Sequence, residues 1–291
     1  MIGQQHNTKA MVLSGSGNLR VSAPLGRTVR LLILRPGAGK LVIQLLVALA
    51  VLAAWYVATT VTHLIGPGRF PSPADVWEAW RQAVSPEGYA NASLLAHIVQ
   101  SCKIILGGFA LAVITGVPLG LIMGASKSVD AFCGPIFSIL RPIPPLAWIP
   151  LSILWFGLGE EAKIFIIWLS AFVPSVINSN AGIRNLDRTL IEAARVHGAS
   201  PWILVRAVVI PGALPMIMTG MRISLQISWN ALVAAELVGS SHGLGHLLNT
   251  ASLDLYPGMI LLAMMIVAVL GAGMTAALAY VEKICFRWRE S

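Results

Sequence analysis

Arg141, Arg222 and Glu236 stand within apolar runs of this 291-residue chain. An ionisable side chain at membrane depth is costly, and by default it marks a cavity or path for a polar solute. In GALPMIMTGMRISLQISWNALVAAELVGS, residues 212–240, Arg222, Gln226, Trp229, Asn230, Glu236 and Ser240 fall within about 80° of one direction at about 100° per residue. Such a face lines a pore or meets another helix, and it does both if the pore follows an interface. Arg222 and Glu236 are fourteen positions apart, about 21 Å along a helix, too far to neutralise each other. Arg141 and Trp148 lie in a run that holds Pro142, Pro144, Pro145 and Pro150. Proline removes a donor and breaks the helical ladder, so the freed carbonyls need neighbouring helices or water in a cavity. Together Arg141, Trp148, Arg222, Gln226, Trp229, Asn230 and Glu236 form a candidate translocation path.

Catalytic chemistry finds no such footing. GAGK at 37–40 imitates the end of a phosphate-binding loop, but Leu34 and Leu41 occupy the positions that need Gly and Ser or Thr. The chain is therefore expected to bind neither ATP nor any other cofactor itself. His242 and His246 are four apart, yet two glycines separate them and no third ligand is evident, which reads as a solvated or pocket-lining loop. Glu160 and Glu161 are adjacent rather than facing, and neither HExxH nor GxSxG occurs. Cys102, Cys133 and Cys285 form no close pair and read as small packing residues.

What must position the path is a set of membrane helices. Charged residues make up 11% of the chain and its mean hydropathy is +0.78, whereas about 25% are charged in an average soluble domain. An all-α membrane protein with six transmembrane helices follows, the spans running over about 41–62, 104–124, 132–158, 164–183, 213–238 and 258–281. Around this 41–285 domain stand a polar, basic tail at 1–40, with a flexible SGSG at 14–17, and a short tail at 286–291. The first apolar run, after Lys40, reads as an uncleaved signal anchor. With the N-terminus inside, fourteen Lys and Arg fall in inner segments and three (Arg69, Arg81, Lys163) in outer ones, so both termini and the 184–212 loop are cytoplasmic. The net charge of +8 thus records topology and not a nucleic-acid partner. Outside, 64–98 reads as short interfacial helices, with Asn91-Ala92-Ser93 matching a glycosylation sequon of little information. Gly116, Gly120 and Gly124 give the second span one smooth face for close helix packing.

The cytoplasmic loop has a structure of its own. Asp187 can cap a helix through His197, Gly198 can end it, and Ser200 with Pro201 can start a second short helix that stops before Pro211-Gly212. Small Ala193 and Ala194 allow close approach, while Glu192, Arg195 and Arg206 offer charges, so the hairpin reads as a docking element. Glu192-Ala193-Ala194, Gly198, Val208, Ile210 and Pro211 resemble the EAA loop of ABC importer permeases, with Val208 for Ile and Ile210 for Leu as conservative departures. RPIPPLAWIPLSILWFGLGE and LPMIMTGMRISLQISWNALVAAELVG are similar to the sulfonate, taurine and nitrate uptake branch, and the resemblance covers about 41–285. It implies a type I importer permease fold in the bacterial inner membrane, with Glu192, Ala193, Ala194, Gly198 and Pro211 in the ATPase-coupling loop. It also implies a second permease copy in a homodimer, two cytoplasmic ATPase subunits that carry ATP and Mg, and an extracytoplasmic solute-binding protein. Taurine or an alkanesulfonate is the expected cargo, with nitrate, bicarbonate, an aromatic carboxylate or a vitamin precursor as alternatives in the same class. An ATPase-independent secondary transporter would use the same polar face, but would need coupling carboxylates. Glu236 is the one acidic residue evident inside a span.

Overall fold

The computed structural model describes residues 38–62, 66 and 68–285. The expected tails, including SGSG, lie outside these residues, apart from Ala38, Gly39 and Lys40, which open the first helix. That helix, α1 (Ala38–Tyr56), belongs to a first unit ending at Trp55, and a second unit begins at Tyr56. The second unit contains α2 (Pro73–Val84), α3 (Leu94–Ala125), α4 (Lys127–Leu140), α5 (Ile149–Phe156), α6 (Glu160–Arg184) and α7 (Arg188–Val196). After them come α8 (Pro201–Leu204), α9 (Ile210–Gly239), α10 (Leu244–Leu253) and α11 (Pro257–Cys285). Among the described residues the one β pairing is an isolated bridge between Tyr89 and Ala92.

By length and composition five helices among the described residues can cross a membrane: Val42–Val61, Leu94–Ala125, Glu160–Arg184, Pro201–Gly239 and Pro257–Ile284. Taken together as one span, α4 and Pro145–Phe156, which are bent by 87°, give a sixth candidate crossing. The span expected at 132–158, with its ladder broken by prolines, is thus two helices. Arg141 N–H still donates to Phe137 at 2.9 Å, but Pro142, Pro144 and Pro145 then have no N–H to give. A 3-10 turn at Pro145–Trp148 restarts the helix. The second span starts ten residues before the expected 104, because Ser93 caps it by accepting from Ala96 N–H.

Packing within the second unit is governed by small residues. Helix α6 lies between α3 and α9. A Cβ at Gly120 would stand 2.4 Å from the Val176 carbonyl oxygen, one at Gly108 2.6 Å from Ile167, and one at Gly124 2.8 Å from Ile183. On the other side of α6, Gly220 of α9 sits where a Cβ would meet Asn178 at 2.6 Å. With backbones this close, dispersion contacts and short polar contacts hold the helices, as they must where lipid removes the hydrophobic drive. Ser175 and Ser224 bring their hydroxyls to 2.9 Å, and Ser224 also donates to the Ala171 carbonyl at 2.8 Å.

Candidate functional site: a cytoplasmic hairpin, a cavity and an outer lock

The hairpin is built by its caps. Asp187 accepts from Thr189 N–H at 2.9 Å and starts α7. That bond holds the Asp187 carboxyl below the usual carboxylate range. At the other end Gly198 has φ +78°, its N–H donates to the Arg195 carbonyl, and Ala199 N–H donates to Ala194. This pair of bonds is the Schellman closure that a glycine permits. Glu192, Ala193 and Gly198 are exposed and Ala194 is half-buried. Around them Val196 is 86% exposed and Trp202 70% exposed, beside Leu190 and Ile203. Apolar side chains displayed on a capped, rigid hairpin form a surface suited to a protein partner.

The second arm of the hairpin does not stop before Pro211. Residues 201–239 form one helical rod of 39 residues, about 58 Å at 1.5 Å per residue. The rod passes Pro211 through a π turn at Val205–Val209, where Ile210 N–H reaches back five residues to Val205. The wider turn leaves the proline ring at the first positions of α9, where a missing N–H costs nothing. Pro211 therefore joins hairpin to span instead of separating them.

The path residues expected from the sequence are divided among three surroundings. Arg141 and Trp148 line a cavity of about 440 Å³ with Ser170, Asn178, Ile223 and Ile227, and among the described residues no Asp or Glu contributes to its wall. Gln226, Trp229 and Asn230 instead line a groove of about 640 Å³ against Gly271, Thr275 and Ala279 of α11. Trp229 is 6% exposed there, and its indole N–H finds no acceptor among the described residues. Arg222 pairs with Glu282 of α11, so Glu236 is not the one acidic residue in a span. The expectation missed Glu282 because it drew the last span to 281, while α11 runs to Cys285.

Glu236 faces neither cavity nor groove and is fully buried. Its carboxylate accepts from Ser101 Oγ at 2.8 Å and from Gly245 N–H at 2.8 Å. Ser101 Oγ accepts from Leu244 N–H at 2.9 Å, and His97 Nδ1 accepts from Gly243 N–H at 3.0 Å. His97 Nε2, which then carries the proton, donates to the Tyr89 carbonyl at 3.0 Å. Lys163 donates to Ser240 Oγ at 2.8 Å, and Ser240 donates to the His242 carbonyl. His242 and His246 each stand 6.3 Å from His97 between ring centres. Burial, then the neighbouring His97, His242 and Lys163, push the His246 imidazole below its ordinary pKa. Among the described residues no three His, Cys, Asp or Glu side chains are placed to hold a metal ion. His97 and Ser101 escaped the sequence reading, since the outer segment was taken to reach 98 and the second span to begin at 104.

Comparison with known proteins agrees with this layout. Residues 116–284 match the family described as binding-protein-dependent transport system inner membrane component. The taurine transport system permease protein TauC of Escherichia coli (strain K12) is 35% identical over 237 residues, covering 81% of this chain and 86% of the relative. The putative aliphatic sulfonates transport permease protein SsuC of the same organism is 36% identical over 239 residues, 82% of this chain and 88% of that one. Among solved structures, a chain of the inward-facing MetNI methionine ABC transporter aligns with a TM-score of 0.53 at 20% identity, over 67% of this chain and 98% of that chain. That last likeness is one of fold.

Proposed function

Because the chain belongs to the family of binding-protein-dependent transport system inner membrane components, multi-pass permease subunits of ABC importers, we propose that it moves a small organic anion, taurine or an alkanesulfonate, under power from partner ATPases. The observation that carries the reading is the rod of residues 201–239, which joins the exposed hairpin to the membrane core without a break. The hairpin, with Glu192, Ala193, Ala194 and Gly198, docks on a cytoplasmic ATPase subunit that holds ATP and Mg. Closure of two such subunits pushes on the hairpin and turns α9. Pro211 belongs to this transmission as the joint of the rod. An extracytoplasmic binding protein delivers the solute, and a second copy of the chain completes the path.

Within the chain, the path follows the cavity of Arg141 and Trp148. A single guanidinium among apolar walls, with no carboxylate in the lining, suits an anion that carries an apolar body. Gln226, Trp229 and Asn230, in their groove of small residues, suit contact with the second copy, and the buried Trp229 N–H gains an acceptor there.

Site-directed crosslinking tests the coupling. A cysteine at Val196 or Ala199 is placed opposite the co-expressed ATPase, with and without a non-hydrolysable ATP analogue. A crosslink whose yield changes with nucleotide is expected. Normal expression with no crosslink at either position would overturn the docking role of the hairpin and reopen the ATPase-independent reading.

A further inference from the structure

The cavity of Arg141 and Trp148 carries polar groups on a second wall. Ser170, Pro174 and Asn178 of α6 all line it, and at a spacing of four residues they share one face of that helix. Pro174 has no N–H to give, so the Ser170 carbonyl four residues before it loses its helical donor. A carbonyl freed at membrane depth is tolerated where it meets protein or a wet cavity. The Ser170 hydroxyl proton is already committed, to the Ile166 carbonyl at 2.6 Å. One turn further on, Asn178 Nδ2 donates to the Pro174 carbonyl at 2.8 Å. That bond sets the amide's orientation, and Oδ1 is left as an acceptor without a donor among the described residues. Gly220 of α9 packs against the same side chain, since a Cβ there would stand 2.6 Å from Asn178 Cβ and 3.2 Å from Cγ. The Arg141 guanidinium, by contrast, offers donors alone, and the ion pairs among the described residues do not include it.

We propose that Asn178 Oδ1 and the Ser170 carbonyl form a subsite for a cationic end of the solute, so that the cavity is fitted to a sulfonate that also bears an ammonium group. The proposal rests on the cargo reading above and narrows it, from sulfonates in general to aminosulfonates such as taurine. Arg141 takes the sulfonate through charge-assisted hydrogen bonds. Trp148, Ile223 and Ile227 flank the short hydrocarbon link, and the ammonium donates to the two α6 oxygens. An ammonium group drawn out of water needs such acceptors, and ethanesulfonate has no group to offer them. Neutral oxygens also suit a site of passage, because transport needs binding strong enough to admit the solute and weak enough to release it. Asn178 is thus a specificity-determining residue, held in place by Pro174 and Gly220.

The test uses the complex of permease and ATPase subunits in lipid nanodiscs, with the binding protein omitted so that the selectivity measured is that of the permease. Taurine and ethanesulfonate are titrated separately, and binding is followed by saturation-transfer NMR. The parent is expected to bind taurine about tenfold more tightly than ethanesulfonate, the worth of a hydrogen bond to a charged group. Asn178→Leu, which keeps the branched shape of the side chain, should erase most of that preference. Pro174→Ala returns an N–H to the Ser170 carbonyl and leaves Asn178 in place. Because alanine favours the helix, it also guards against a misfolded Asn178→Leu, and it should shrink the preference in the same sense. Equal affinity for the two solutes in the parent overturns the proposal, and so does a parent-like preference in either variant. If the parent binds neither solute, uptake into proteoliposomes with the binding protein restored separates two failures. Uptake of either sulfonate would then mean that the solute does not rest in this cavity, which overturns the subsite, whereas uptake of neither overturns the choice of cargo on which the subsite rests.

Discussion

At Gly198 a single backbone angle sets the shape of the hairpin that we propose as a docking element. Nothing lies within 4 Å of where its Cβ would be, yet φ is +78°. The demand is conformational and not one of space. Non-glycine residues pay roughly 1–2 kcal/mol for the left-handed region, Asn less than most and β-branched residues more. Gly198→Val should therefore reduce the Val196–ATPase crosslink and solute uptake by about tenfold or more, while Gly198→Asn retains most of both and the membrane level of each variant stays near that of the parent. Equal loss of protein in the two variants would mean that Gly198 serves folding and not docking. The caps at Asp187, Gly198 and Ser200 were legible in the sequence because each depends on one residue type at one place. The acceptors at His97 and Ser101 were not, because they meet α10 across more than 140 positions of chain and no local pattern records a contact of that range.

At the scale of elements, the spacing of glycines on α3 carried its meaning in plain view. Gly116, Gly120 and Gly124 do form the face that meets α6, and Gly108 extends it by two turns. Gly120→Ala should lower the unfolding midpoint of the detergent-purified protein by several degrees, as overpacking against a backbone carbonyl costs about 1–3 kcal/mol. Gly107 provides the control: its Cβ would meet Ile164 at 3.8 Å, an ordinary contact, so Gly107→Ala should leave the midpoint unchanged or slightly raised. Matching losses at the two positions would show that close packing at Gly120 is not the cause, since Ala favours the helix over Gly at both. Helix ends were less legible than helix faces. The sequence reading stopped the hairpin's second arm before Pro211, where the chain in fact runs on, while the break it read from the prolines near 144 is present as a bend of 87°. Proline announces that a ladder bond is missing. Whether the backbone absorbs that loss in a π turn or by bending depends on what packs around it.

For the whole molecule, separating the polar residues into cavity, groove and lock gives each a different task. A helical wheel places Arg222, Gln226, Trp229, Asn230 and Glu236 on one face, but it cannot see that α11 covers part of that face and α10 closes over its outer end. The wheel also omits Ile223 and Ile227, the α9 residues that do reach the cavity with Arg141. An importer carrying Arg141→Gln should keep its nucleotide-sensitive hairpin crosslink and yet take up labelled ethanesulfonate about tenfold more slowly, through loss of a charge-assisted contact to the sulfonate. Unchanged uptake would take Arg141 out of the path, and a parent importer that carries no sulfonate would end that choice of cargo.

The π turn at Val205–Val209 has a consequence for how such a chain tolerates insertion and deletion. A helix advances by about 100° per residue, so a residue gained or lost in an α-helical part of the rod swings the exposed side of the hairpin around its axis, unless a change of turn type absorbs it. The π turn holds one residue more than an α turn would in the same stretch, and it fixes the direction in which Val196 and Trp202 point. Remove a single position from that turn and it closes to an α turn with the hairpin still capped, the rod unbroken and the exposed surface facing much as before, whereas the same deletion within the α-helical part of the rod would swing that surface through more than a quarter of a revolution.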